Sequence, residues 1–511
     1  MSKKSFLLFT GVIISVVFLS AWPAAAGNDY LHHQISVTVD PGDQFMEAVD
    51  TITVPLSCKT DSLEFSLLSN LEPRLLSSGA TLILVGEDVE GEDPGMDREE
   101  SSDASGMSLN RYLIVFGKSR DRDTDLIIEF KGKIYFPIEE SGPEYARGFS
   151  QTPGLISDRG VYLAGSTCWV PDFDGDLLTF EMTVSMPDGW DAVSQGERTF
   201  HKKYESGPGE VERISRWTSN EPMEEIYLIA AQFHEYTLQA GDVEVMAFLR
   251  TPDEALAGKY LETTGQYLEM YCDLIGDYPF SKFALIENFW ETGYGMPSFT
   301  LLGEKVIRFP FILHSSYPHE LLHNWWGNSV YVDFEQGNWC EGLTTYMADH
   351  LIKEQRGQGA QYRRNTLQTY TNYVNTGNDL PLSDFISRHN AATASVGYGK
   401  SLMMFNMLRQ MVGDEAFVKG VRLFYEKNRF RAASFDDIRR AFENVYGRGL
   451  VTFFSQWVAR TGAPELRIED ASLNGSDGRW TIDLTMEQIQ EDDAYTLEIP
   501  ILISFADSQA T

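Results

Sequence analysis

Four cysteines in 511 residues are too few to build a disulfide scaffold. Bases are scarce as well. The chain has 41 Lys and Arg against 75 Asp and Glu, a formal charge of −34. Such a chain repels phosphate backbones and anionic membrane surfaces, which excludes a general nucleic-acid binder. Beyond residue 26 no apolar run is long enough to span a bilayer, and no internal repeat is found. What the chain does have is 43% hydrophobic and 13% aromatic residues, enough to bury a sizeable core, so disorder is not its global state. At roughly 100–200 residues per domain, its length predicts about three domains.

Residues 1–26 read as a secretory signal rather than as part of the fold. Lys3 and Lys4 give a basic start, an apolar run follows from Phe6 to Trp22, and Pro23-Ala24-Ala25-Ala26 supplies the small residues of a cleavage site. The expectation is a mature chain beginning at Gly27, exported to the periplasm or beyond, with no membrane span after cleavage. In an oxidising compartment Cys58, Cys168, Cys272 and Cys340 allow three complete pairings, and four free thiols fit equally well.

From 27 to 246 the texture is that of a large antiparallel β domain. Ile35-Ser36-Val37-Thr38-Val39 alternates apolar and polar residues as a half-buried strand does. Similar runs recur at Thr51–Pro55, Ala80–Val85, Leu113–Phe116, Leu126–Phe130, Thr179–Ser185 and Glu225–Ala231. Gly86–Gly106 carries nine acids and one base and reads as a solvated loop. Asp172-Phe173-Asp174-Gly175-Asp176 looks like a calcium loop, but its glycine comes too early, so an ordinary turn is expected. From 247 to 463 the period turns helical, at Asp253–Leu274 and then at 341–355, 359–375, 399–412, 414–428, 435–446 and 450–461. Strand texture returns over 464–511. The fold class is therefore α+β and multidomain: a β domain, a mainly α domain and the start of a second β domain.

His319-Glu320-Leu321-Leu322-His323 is the informative segment. Side chains four apart on a helix project from one face, so two imidazoles can share one ion. Zn2+ suits imidazole and carboxylate ligands and, in catalytic sites, keeps a position open for water. Glu320, beside the ligands, is placed to take that water's proton. Ser315-Ser316-Tyr317-Pro318 signals the start of the helix, and Gly327 signals its end. A second helix begins near Cys340-Glu341-Gly342, with Glu341 in its first turn.

His319–Asn328, followed by Asn338-Trp339-Cys340-Glu341-Gly342-Leu343-Thr344, resembles the aminopeptidase N family of gluzincin zinc metallopeptidases, relatives of leukotriene hydrolase. His33–Pro41, Trp169–Phe173, Met186–Trp190, Leu274–Phe280 and Phe453–Trp457 extend the resemblance over about 30–505. It implies a thermolysin-like catalytic domain with one Zn2+ held by His319, His323 and Glu341, and with Glu320 as general base. It also implies that Tyr398, in Tyr398-Gly399-Lys400-Ser401, donates to the oxyanion. Peptides are the implied substrates, cut at their N-terminal end. The family continues with more β structure, so the resemblance leads one to expect a truncated chain after Thr511.

Two departures qualify this. Between His323 and Glu341 stand seventeen residues, 324–340, one fewer than the family's usual spacing, with Asp349 as the fallback carboxylate. The family's exopeptidase segment has a Glu that binds the substrate amine. Here Tyr294-Gly295-Met296-Pro297-Ser298 puts Pro297 in that place. Gly295 and Met296 are expected to shape the cleft, and Glu291, then Glu287, are the candidates to reach the amine. An endopeptidase or other hydrolase on the same zinc site, and a non-catalytic peptide-binding protein, remain as alternatives.

Overall fold

The computed structural model describes residues 30–89, 107–140, 150–173, 175, 177–207, 210–476, 479–501, 503–504 and 509–510. The signal segment, most of the acidic stretch up to Gly106, Asp174 and Asp176 lie outside these residues.

The N-terminal half is β throughout. Leu31–Asp40 buries every second side chain, as its alternation predicts. It is central to a seven-stranded sheet ordered 197–207, 210–223, 178–187, 31–40, 45–54, 124–133 and 74–75. All neighbours in this sheet are antiparallel except Leu31–Asp40, which runs parallel to Leu178–Pro187 with Ile35 opposite Met182. A three-stranded sheet (62–68, 109–116, 80–89), a four-stranded one (154–157, 160–163, 228–231, 191–193) and a short two-stranded one (139–140, 150–151) belong to the same region.

The next region opens with a sheet rather than with helices. Its five strands stand in the order 234–240, 243–249, 282–288, 299–303 and 293–296. The expected boundary at 246/247 therefore falls inside strand Val243–Leu249, which pairs in parallel with Lys282–Asn288. Sequence texture changes only at Asp253, which accepts a hydrogen bond from Leu256 N and caps helix α1 (Glu254–Leu274). Lys282–Asn288 is buried at all seven positions, as suits a central strand covered on both faces. The edge strand Gly293–Met296 packs against helix α2 (Ser316–Leu322).

Helix α3 (Cys340–Thr345) follows and continues through a π-helical turn, Tyr346–His350, into Leu351–Gln355. A second π-helical turn, Ser395–Lys400, leads into the helix Ser401–Val412. Gly342 is required where these helices meet, since a Cβ there would lie 1.8 Å from Ser401 Oγ. Further helices span Gly359–Tyr373, Ala391–Ala394, Asp414–Asn428, Phe435–Tyr446 and Val451–Val458. Beyond them a hairpin pairs Leu466–Ser476 with Arg479–Gln488, and Ile503–Ser504 pairs with Gln509–Ala510. Tyr495 stacks on Trp457 at 5.1 Å, which ties this last segment to the helices. All four cysteines are free thiols.

Candidate active site

Helix α2 is short because its job is local. Tyr317, Leu321 and Leu322 bury one side of it, and His319 and Glu320 face the other way. His323 is its C-terminal cap and still helical (φ −56°, ψ −18°), so the two imidazoles remain one turn apart with ring centroids 4.9 Å from each other. Gly327, at φ +97°, then turns the chain.

Glu341 arrives from the first turn of α3. One ligand atom from each of His319, His323 and Glu341 lies within 4.8 Å of the others. Glu341 Oε2 sits 3.4 Å from His319 Nε2 and 3.8 Å from His323 Nε2. At the start of this helix Asn338 Oδ1 accepts from Cys340 N at 3.0 Å.

The hydrogen bonds around the imidazoles decide which nitrogen faces the centre. His319 Nδ1 donates to Asp349 Oδ2 at 2.7 Å, and His323 Nδ1 donates to Trp326 O at 3.1 Å. With Nδ1 engaged in each ring, both Nε2 atoms face Glu341. Glu341 Oε2 is buried with no hydrogen-bond partner. Two imidazole Nε2 atoms and a buried carboxylate oxygen without a hydrogen-bond partner form a donor set that fits Zn2+. Asp349 is thus placed behind His319, outside the three-residue set.

Charges follow the same geometry. Burial works to raise the Glu341 carboxyl, but His323 and His319 outweigh it and hold it at about 2. Burial pushes Glu320 up to about 7 against the pull of His319. Tyr398 lies on the second π-helical turn with its ring 6.4 Å from the His319 ring and nearly parallel to it. Burial, and then the Glu341 carboxylate, push its hydroxyl well up, so it remains a donor. Cys340 Sγ is 3.4 Å from His323 Nδ1, but burial and Glu341 raise the thiol well above its ordinary range, and it stays protonated.

Gly295 and Met296 border this centre. A Cβ on Gly295 would stand 2.9 Å from Glu320 Oε2, so only glycine lets the edge strand lie this close. Asn328 Nδ2 donates to Gly295 O at 3.2 Å, and Met296 is buried. The two candidate amine-binding carboxylates are not brought into the centre. Glu291 accepts from Lys305 N at 3.1 Å and Val306 N at 3.3 Å, capping the turn Val306–Arg308. Glu287 is buried, accepts from Arg250 N at 2.7 Å and pairs with Arg308 Nη1 at 2.5 Å. Both hold the scaffold. Sequence reasoning gave no place to Arg388, which carries no motif. Its guanidinium lies 5.7 Å over the Tyr398 ring.

Residues 314–457 match the model of the Peptidase family M1 domain. Among curated proteins the chain is similar to aminopeptidase N of Haemophilus influenzae, 28% identical over 211 residues, which is 39% of this chain and 24% of that protein. It is also similar to the alanine/arginine aminopeptidase of Saccharomyces cerevisiae, 25% identical over 199 residues, 37% of this chain and 23% of the relative. The matched region spans about a quarter of each relative's length. Among solved structures the fold is similar to an M1 zinc metallopeptidase of Deinococcus radiodurans, with a TM-score of 0.61, 18% identity, and coverage of 86% of this chain and 96% of that one. A variant of that enzyme bound to the peptide Tyr-Ser-Ala superposes with a TM-score of 0.62 at 18% identity, with the same coverage of both chains.

Proposed function

We propose that this chain, with its M1 peptidase domain at residues 314–457, hydrolyses peptide bonds with Zn2+ and removes N-terminal residues from peptides. The observation that carries this is the buried, unpartnered Glu341 Oε2 facing the Nε2 atoms of His319 and His323. His319, His323 and Glu341 would hold the ion. When bound, it supplies a Lewis acid for the scissile carbonyl and a water acidic enough to attack near neutral pH. Glu320 takes the water's proton on its carboxylate and delivers it to the leaving amine nitrogen. Tyr398 donates its hydroxyl hydrogen to the carbonyl oxygen as negative charge develops there. Asp349 keeps the His319 proton on Nδ1. The edge strand Gly293–Met296, lying against α2, offers backbone groups along which an extended peptide can align.

The test is zinc content and peptide hydrolysis, wild type against Glu320→Gln. The variant should keep its zinc and lose about 10²–10⁴-fold in kcat/KM. A zinc-loaded wild type that is inert towards broad peptide libraries would falsify the enzyme reading. Cleavage within the chain is the second reading, favoured by Pro297 and by the engagement of Glu291 and Glu287 elsewhere. Acetylated peptides separate the two, since an enzyme that removes N-terminal residues should refuse them. Export rests on the pattern of residues 1–26 and is tested by whether the mature protein begins at Gly27. Among the described residues no helix is long and apolar enough to cross a membrane.

A further inference from the structure

We infer that Lys400 is a positioning residue for the oxyanion donor Tyr398, and that through it the segment following helix Val451–Val458 works as part of the active site. The inference deepens the peptidase reading and rests on it.

Tyr398 stands on the π-helical turn Ser395–Lys400, a rare geometry that persists where its surroundings fix it. Three of its supports are local. Ser395 Oγ donates to Ala391 O at 2.6 Å and holds the entry. Gly397 is pressed on the Phe385 ring, where a Cβ would lie 2.0 Å from Cζ. A Cβ on Gly399 would stand 3.1 Å from Thr366 Cγ2, on the helix Gly359–Tyr373. The exit is held differently. Lys400 is buried, and its Nζ donates at 2.5 Å to the carbonyl oxygen of Arg460, 60 residues further along the chain.

The receiving end is a clasp. The Arg460 guanidinium sits 4.0 Å over the Tyr495 ring, and its Nη2 donates to Asp493 O at 2.6 Å. Tyr495 OH donates to Thr461 O at 2.9 Å. Gln456 exchanges two hydrogen bonds with the backbone of Thr496, at 2.7 and 3.1 Å. Asp379 closes the clasp on the catalytic side, where its Oδ2 accepts from Gly462 N and, at 3.1 Å, from Tyr370 OH. Burial lowers the Lys400 ammonium to about 8 against the pull of the Asp379 carboxylate.

An apolar side chain would fill this space without the cost of burying an ammonium. What the ammonium adds is a fixed separation between the clasp and the turn that aims Tyr398. An oxyanion donor acts only at about 2.7–3.1 Å from the developing charge, and a misplacement of about 1 Å costs about 10²-fold in rate. The one bond from Lys400 to Arg460 O therefore carries the position of the C-terminal segment into the oxyanion site.

Lys400→Met keeps the packing and removes the donor. It should lower kcat for peptide hydrolysis by about ten- to hundredfold with KM and zinc content unchanged, and Lys400→Arg should recover part of the loss. In the Tyr398→Phe background the same change should cost no more than about twofold, because the group it positions is already gone. Amide exchange at 395–400 of the zinc-loaded protein should quicken by about tenfold in Lys400→Met. An equal loss in both backgrounds, a rise in KM in place of a fall in kcat, or wild-type exchange at 395–400 overturns the inference. If Lys400→Met does not fold, Gln456→Leu decides, because it opens the clasp from its far side. Exchange at 395–400 should quicken there too, and protection equal to that of the wild type overturns the inference. If the wild type cleaves nothing but exchange at 395–400 still depends on Lys400, the peptidase reading fails and the clasp on this turn stands. If the wild type cleaves and the two losses are additive, the inference fails alone.

Discussion

At the scale of single residues, the site is a set of side chains whose protons have been assigned by their neighbours. His319 has its Nδ1 proton held by Asp349, which leaves Nε2 for a metal. The sequence offered Asp349 as a spare ligand, and only its position on the π-helical turn shows that it orients one instead. Asp349→Asn should therefore leave the three ligands in place but weaken zinc affinity by about 10–100-fold. A competition titration against a chelator reads this directly, and an unchanged affinity would remove Asp349 from the mechanism. Glu320 and both histidines were legible because their spacing encodes a shared helix face. Arg388 was not, because a loop arginine becomes meaningful only when the fold lays it over Tyr398.

At the scale of elements, the edge strand Gly293–Met296 is held from behind by a buried network. Lys282 Nζ donates to Ser298 O and to Ser298 Oγ, each at 2.9 Å, and lies 5.2 Å from the Trp217 and Phe299 rings. Ser298 is kept in the left-handed region at φ +66°, with its N–H donating to Asn324 Oδ1 at 2.7 Å. Asn324 follows His323 directly, so the strand and the helix of the histidines share one lock. Lys282→Met should cost little global stability, because Ser298 O keeps the Ala284 N donor and the desolvation of a buried ammonium disappears. It should instead free the strand end. Amide exchange at 293–298 is expected to quicken by about tenfold while the thermal midpoint moves by no more than about 3 °C. Protection equal to that of the wild type would show that the lock lies elsewhere. Sequence periodicity found the strand Ile35–Val39 and the helix Asp253–Leu274. It missed the five-stranded sheet, whose central strand Lys282–Asn288 is buried on both faces and so lacks polar–apolar alternation, and whose first two strands precede the first helix.

At the scale of the whole molecule, stability depends on pH through a buried histidine. His350 is fully buried, and Arg363 Nη1 donates to its Nε2 at 2.7 Å, which requires a neutral ring. Burial lowers its pKa to about 4. The unfolded chain takes up a proton near 6.5 and the folded one does not. The stability linked to His350 is thus complete above about 6.5 and is lost as pH falls towards 4. Between pH 7 and pH 4.5, denaturant unfolding of His350→Phe should lose less stability than the wild type, by about 1–3 kcal/mol. Parallel losses in the two proteins would mean that His350 titrates normally.

The sequence by itself determined the ingredients: the β-then-α order, the paired histidines with Glu320 between them, Glu341 at a helix start, and a glycine where strand meets helix. These are local properties, set by periodicity, spacing and the steric limits of each residue type. The tertiary structure alone decided which carboxylates work where. Glu291, Glu287 and Asp349 are interchangeable as letters, yet one caps a turn, one pairs with Arg308 and one holds His319. A carboxylate's role is set by the donors that long-range packing brings within about 3 Å of it, and those donors stand up to 37 residues away along the chain.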